Sequence, residues 1–349
     1  MGNILSYEDV KRQSEAVFGQ FGESKWMPYT KMNMTLTNRR DPEELAGCGL
    51  GKVALLAAMG ESLEGHIETI KKHREKFDLV TCDKGFALLM ERGIKPDFVQ
   101  LCDCNISYKW LEPYVDETKD VKLVATCYAN VEWTTKWRGP IYFYANKDAL
   151  HTEGKFIQLM GEFKSFEAEF LNIPSKKVRV IPAGSNVSNA MLIFLVGIDE
   201  ENRQNWAGYE HYLLTGYDYS WRPYGLEAKC KTGSYYAFND PKPKRFYMQH
   251  RTMLDFNGDY IHTSENLLFS AKWMYSYVTA YNLPVTNCSE RGILDIPRKR
   301  KLDELLSKLK VSKSATSRLK EQYEICKSAM TTFVVSQDSL NASRRALWQ

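Results

Sequence analysis

No apolar run in the chain approaches the roughly 18–20 residues that span a bilayer, and the N-terminal MGNILSYEDVKRQ has no signal-peptide core. A spanning or secreted protein is therefore not expected; a soluble, cytoplasmic one is. Residues 1–6 fit the loose N-myristoylation pattern, a match short enough to arise by chance. A strong excess of one charge is also lacking. The net charge of +4 over 349 residues permits an anionic partner without requiring one. Cysteines in metal-ligand spacing are missing too: the eight are scattered, Cys102-Asp103-Cys104 is tighter than a CxxC pair, and no His–Cys cluster accompanies it. Free buried thiols are expected, and no metal site. What the chain does have is apolar and aromatic content, 44% and 13%, enough for a large core.

Short apolar runs, each followed by a turn and a helical pattern, recur along the chain. Residues 178–181 form a β-branched run that ends at Pro182, Gly184 and Ser185 and opens an apolar helical segment over 187–198. Residues 52–58, 78–82, 97–101, 121–126, 141–144, 212–215 and 283–286 read as further strands, with helices over 7–18, 64–76, 86–92 and 155–171. Thr263 or Ser264 could cap another helix running through 273–281, with His262 just before its N-terminus. Strands alternating with helices at this spacing need crossover connections. The expected fold is therefore α/β: a Rossmann-like, mostly parallel sheet with helices on both faces, plus helical N- and C-terminal extensions. The expected divisions are an N-terminal extension over 1–50, a Rossmann-like domain over 51–297 with an irregular lid or acceptor segment over 221–260, and a basic helical appendage over 298–349.

Gly60, Ser62, Asp83, Asp103, Gly184, Ser185 and Asp218 all lie just after expected strands. In a parallel sheet that places them along one rim, where open α/β sheets bind ligands. Small residues and free N–H groups at a helix N-terminus favour an anion, so these turns read as phosphate-facing.

The series Gly60-Glu61-Ser62-Leu63, Cys82-Asp83, Arg92-Gly93-Ile94-Lys95-Pro96-Asp97 with Asp103, Gly184-Ser185 and Gly216-Tyr217-Asp218 resembles the flagellin-glycosylating motility accessory factors and the MptE-like 6-hydroxymethylpterin diphosphokinases. Its order and spacing are also similar to bacterial sialyltransferases that use CMP-activated sialic acid. The resemblance covers about residues 52–296. It implies a nucleotide-sugar donor, most simply CMP-linked, with no cofactor or metal required. It implies a catalytic base at His262, and phosphate-stabilising tyrosines at Tyr236 and at Tyr219 (or Ser220). Donor contacts are implied at Gly60, Ser62, Asp83, Asp103, Gly184, Ser185, Asp218, Asn287 and Ser289. The family turn reads Gly-Pro-Ser-Leu, and Glu61 stands here in place of the proline.

The chemistry fits those residue types. Inverting transfer needs a base for the attacking hydroxyl, a task suited to neutral imidazole, and donors for the departing phosphate, which tyrosine hydroxyls can supply. Two other readings stand beside it. One is a diphosphokinase with Mg²⁺ held by Asp83, Asp103 and Asp218. The other is a non-catalytic nucleotide-binding protein, favoured by Glu61. The acceptor is open among protein, glycan and a hydroxymethylated DNA base. The basic stretches 242–251 and 298–301 bear on DNA, against the plainer reading of a solubilising surface.

Overall fold

The computed structural model describes residues 23–146, 178–181, 186–197, 206–221 and 250–309. The helices expected over 7–18 and 155–171, the segment 222–249 with Tyr236, the turn with Gly184 and Ser185, and residues 310–349 lie outside the described residues.

The centre of the molecule is β2 (Val53–Ala57), buried at all five positions. A strand covered on both faces has no polar side to show, which is why it reads as a continuous apolar run. On one side of it the chain lays down β3 (Asp78–Cys82), β4 (Phe98–Leu101), β5 (Lys122–Thr126) and β6 (Ile141–Asn146). The outer edge of β6 is shared by β1 (Arg39–Arg40) and β7 (Arg179–Ile181). The chain then returns to the other side of β2, placing β8 (His211–Thr215) beside it and β11 (Val285–Asn287) beyond. Every pairing between these nine strands is parallel. The fold is α/β as expected, and the strand order reverses between β2 and β8.

Side chains on β2 alternate between two cores, as the period of two requires. Ala54 and Leu56 pack beneath α5 (Val187–Val196) and α6 (Glu265–Ala280). Leu55 and Ala57 face α2 (Ser62–Lys72), α3 (Asp83–Glu91) and α7 (Leu302–Lys308). Further along that second face, α1 (Glu23–Met34) and α4 (Val131–Lys136) cover β5 and β6. Asn33 ties α1 down: its amide donates to the carbonyls of Cys127 and Ala129 at 2.8 and 3.0 Å. The described part of 1–50 thus contributes a helix and an edge strand to the sheet body. Six cysteines among the described residues are free thiols.

Two short elements depart from the expected irregular lid. Strands β9 (His250–Leu254) and β10 (Tyr260–Ser264) form an antiparallel hairpin closed at Asn257-Gly258. Asp255 shapes the turn by accepting from the amides of Asn257 and Asp259 at 2.8 and 3.0 Å. Ser264, one of the two caps expected, accepts from the Leu267 amide at the start of α6.

Helix α7, the described start of the basic C-terminal stretch, is amphipathic in use. Leu302 and Leu306 are buried against the sheet, its charged residues point out, and Lys76 donates to the Leu306 carbonyl at 2.9 Å. Truncating Leu306 should therefore open a core cavity: Leu306→Ala is expected to cost about 2–5 kcal/mol in chemical denaturation. A loss under about 0.5 kcal/mol would show that α7 is a loosely attached appendage.

Candidate functional site

The strand-order reversal brings the exits of β2 and β8 side by side, the usual ligand crevice of such a sheet. Here the two exits are sewn together. Helix α2 has no side-chain cap of its own. Its cap comes from 156 residues away: Asp218 accepts from the Ser62 amide at 2.8 Å and from the Ser62 hydroxyl. The Ser62 oxygen accepts in turn from the Gly216 amide at 3.1 Å. Gly60 donates to the Gly216 carbonyl at 2.8 Å, and the amides of Leu63 and Glu64 fold back to Gly60 and Glu61. A Cβ on Gly60 would meet the Gly216 oxygen at 2.5 Å and the Asp218 carboxyl carbon at 2.6 Å, so only glycine fits the contact.

The exit of β11 closes the same knot from the other side. Ser289 accepts from the Tyr217 amide at 2.9 Å, and Asn287 accepts from the Ser289 amide at 3.0 Å while donating to the Leu294 carbonyl. Gly60, Ser62, Asp218, Asn287 and Ser289 are thus brought together as expected. Their polar groups, however, are spent on one another. In this structure the anion at the end of α2 is Asp218 itself. Glu61, with a side chain only 2% exposed, lies 3.5 Å from Arg291 and so is turned into the protein with its charge balanced.

Burial pushes the Asp218 carboxyl up to about 6 against the Ser62 hydrogen bonds, with Glu61 adding to the rise and Arg291 opposing it. Burial likewise lifts Asp83 to about 6, opposed by the Lys84 amide and helped by the charge of Asp103 on the next strand exit. Asp83 and Asp103 therefore form a neighbouring pair, Asp83 buried and Asp103 exposed. Asp218 does not join them as a third ligand, because both its oxygens are engaged by Ser62. Among the described residues no three His, Cys, Asp or Glu side chains converge as a metal site would need. The Mg²⁺ set expected under the kinase reading is not assembled by these acids.

Another helix end on this rim belongs to α5. Its N-cap is Asn186, which accepts from the Asn189 amide at 2.9 Å. The first turn of α5 is clamped by the loop leaving β8. Tyr217 donates to the Ser188 carbonyl at 2.7 Å, Tyr219 donates to the Asn189 side-chain oxygen, and Asn189 donates to the Ser270 carbonyl of α6 at 2.9 Å. Tyr219 is 6% exposed and holds φ +52, a conformation that costs a non-glycine residue about 1–3 kcal/mol. Its hydroxyl donates to Asn189, which ties the exit of β8 to α5. Ser220, the neighbouring alternative, has a buried hydroxyl without a hydrogen-bond partner.

His262 sits in β10, two residues before the Ser264 cap, and not at the helix end itself. The hairpin is docked on the same β8 exit loop. His262 and Trp221 exchange backbone hydrogen bonds of 2.8 Å, and Thr263 donates to the Tyr219 carbonyl at 2.7 Å. The imidazole Nδ1 is 3.0 Å from the Thr252 hydroxyl across the hairpin, with the Trp221 ring beside it. Sequence reasoning missed the hairpin and with it Thr252; the Asn257-Gly258 turn signal was there to find it.

Comparison with known proteins follows this geometry. Residues 31–202 match the MptE-like family. That family is described as 6-hydroxymethylpterin diphosphokinase MptE-like, and the matched stretch holds β1 to β7 and α2 to α5. No curated protein matches the chain. Among solved structures, that of a MAf glycosyltransferase from Magnetospirillum magneticum AMB-1 aligns over 86% of this chain with TM-score 0.51 and 16% identity, a likeness of fold. The alignment takes in 42% of that protein, so this chain spans about two-fifths of its length. The MptE-like resemblance read from the sequence is borne out by the family match, and the α/β fold by the shared architecture.

The knot at α2 has a pH signature. Asp218 holds its proton more tightly folded (about 6) than at its ordinary value of 3.8, so its contribution is complete below about pH 4 and is lost as pH rises through 6. The shift of about two units corresponds to ~3 kcal/mol. Asp83 contributes in the same direction. In Asp218→Asn the amide can still accept from the Ser62 N–H and donate to its oxygen. Urea denaturation at pH 4 and pH 7 should therefore show a smaller fall in stability than in the wild type, with His66 and His211, both lowered by burial, acting in the opposite sense in each protein. An unchanged fall would place the titration elsewhere.

Proposed function

We propose that the protein transfers a sugar from a nucleotide-sugar donor to an acceptor hydroxyl, with inversion and without a catalytic metal. The observation that carries this reading is the docking of the His262 hairpin on residues 219–221, the loop whose tyrosines clamp the first turn of α5. A candidate base and a helix N-terminus that, among the described residues, is capped by Asn186 and by no carboxylate thereby share one rim. In this reading the donor phosphate lies at the end of α5, with Gly184 and Ser185 supplying backbone donors just ahead of Asn186. Asp83 and Asp103, at the neighbouring strand exits, accept from donor hydroxyl or amino groups. Tyr236 steadies the leaving phosphate, and Ser220 takes the second place first given to Tyr219. The CMP moiety is taken from the sialyltransferase resemblance.

His262 acts as the base that removes the acceptor proton, its ring oriented through Nδ1 by Thr252. The acceptor remains an alcohol of unassigned class. For a DNA acceptor the described part of the basic loop gives no support: Arg251 is paired with Glu265, and 242–249 lie outside the described residues.

A second reading, pyrophosphoryl transfer from ATP to a pterin alcohol, is favoured by the match over residues 31–202. Its metal would have only Asp83 and Asp103 from the expected three. Incubation with CMP-, UDP- and ATP-linked donors, with and without EDTA, followed by mass spectrometry of candidate acceptors, separates the two. Transfer that survives EDTA, with His262→Ala lowering kcat by about 10²–10⁴-fold at unchanged nucleotide affinity, is the expected outcome. Turnover of ATP alone that EDTA abolishes, or a folded His262→Ala protein with full activity, would overturn it.

A further inference from the structure

A cavity lies at the opposite end of the sheet from the rim. After β11 the chain doubles back beside that edge strand: the Asn287 amide donates to the Arg298 carbonyl at 2.9 Å and the Arg300 amide donates to the Asn287 carbonyl at 3.2 Å. Paired as a strand would be, residues 298–300 send alternate side chains to opposite sides. Lys299 goes one way, to Asp295 and the face of Phe256. Arg298 and Arg300, both exposed, lie on the other side and help line this cavity of ≈ 380 Å³, which reaches the N-terminal ends of β2 and β8.

The lining is unbalanced in charge. Neither Arg298 nor Arg300 has a carboxylate partner among the described residues; their contacts are to the backbone carbonyls of Leu283 and Lys299. His211 adds an imidazole whose Nε2 is 2.7 Å from the Thr286 hydroxyl. Burial and the nearby Arg298 both lower the His211 pKa, which leaves the guanidiniums as the cavity's fixed charges near neutral pH. The back wall is apolar, formed by Leu213, Leu305 and Leu309.

From these features we infer that the cavity binds a phosphate monoester carrying an apolar or aromatic body. Two guanidiniums match the double charge and the several acceptor oxygens of such a group, whereas a single carboxylate would leave one arginine uncompensated. The volume falls in the range of small-molecule sites, and the leucine wall gives the ester's body a surface to cover. The site stands on residues apart from the rim, so it does not depend on the proposed transfer reaction.

Calorimetric titration of the full chain at pH 7 with phenyl phosphate and with inorganic phosphate tests it. Saturable binding is expected, tighter for phenyl phosphate than for phosphate, and weakened at least tenfold in Arg300→Ala. Among the described residues that side chain bonds its neighbour's carbonyl alone, so the variant should melt as the parent does. Arg298→Lys combined with Arg300→Lys keeps the charge but not the fork, and should fall between the two. No saturable binding by the parent chain would overturn the inference, as would undiminished binding by a folded Arg300→Ala variant. Equal affinity for phosphate and phenyl phosphate would overturn the assignment of a monoester.

Discussion

The bond between the Asp218 carboxylate and the first turn of α2 is the constraint on which the rest of the rim depends. Hydrogen bonds to a buried charged group are worth about 1.5–3 kcal/mol each, and here they must offset the cost of burying Asp218 completely. They do so only because Gly60 and Gly216 let the β2 and β8 exits approach within backbone contact. Once those exits are joined, the loop after Asp218 has a fixed course. Tyr217 and Tyr219 then reach α5, and residues 219–221 offer their backbone to the hairpin that carries His262. The positive φ at Tyr219 is the local cost of that turn.

This arrangement divides the labour of two helix ends that look alike in sequence. Both α2 and α5 follow a strand, both begin near glycine and serine, and either could face an anion. The end of α2 is satisfied by a carboxylate of the same chain, so it carries structure. The end of α5 is held by tyrosine hydroxyls that bind its Ser188 carbonyl and Asn189 side chain. Among the described residues its cap is Asn186, with no carboxylate. The proposed chemistry follows from that asymmetry.

Much of the sheet was legible because strands buried on both faces run apolar from end to end; 78–82 falls on β3 residue for residue. The strand order was not legible, since it is set by pairing between distant segments. Helix α1 escaped notice because Pro28 interrupts an already weak periodicity. The hairpin escaped because its strands, HRTML and YIHTS, mix charge with β-branched residues. Among site residues, the chain showed which would share a rim but not which way each would turn. Ser62 and Asp218 look like ligand groups in sequence, and only the fold reveals that each is the other's ligand. The same limit holds for Tyr219: nothing local to it announces that Asn189, thirty residues earlier, accepts from its hydroxyl.

Amide hydrogen exchange read by mass spectrometry, with and without saturating CMP, tests the central claim most directly. If α2 is closed by Asp218 and the nucleotide sits against α5, CMP should add protection to the peptides spanning 186–190 and 250–264. The peptide spanning 60–66 should already be slow and remain unchanged. New protection at 60–66 with none at 186–190 would contradict the account, placing the nucleotide at the helix end that Asp218 is held to occupy.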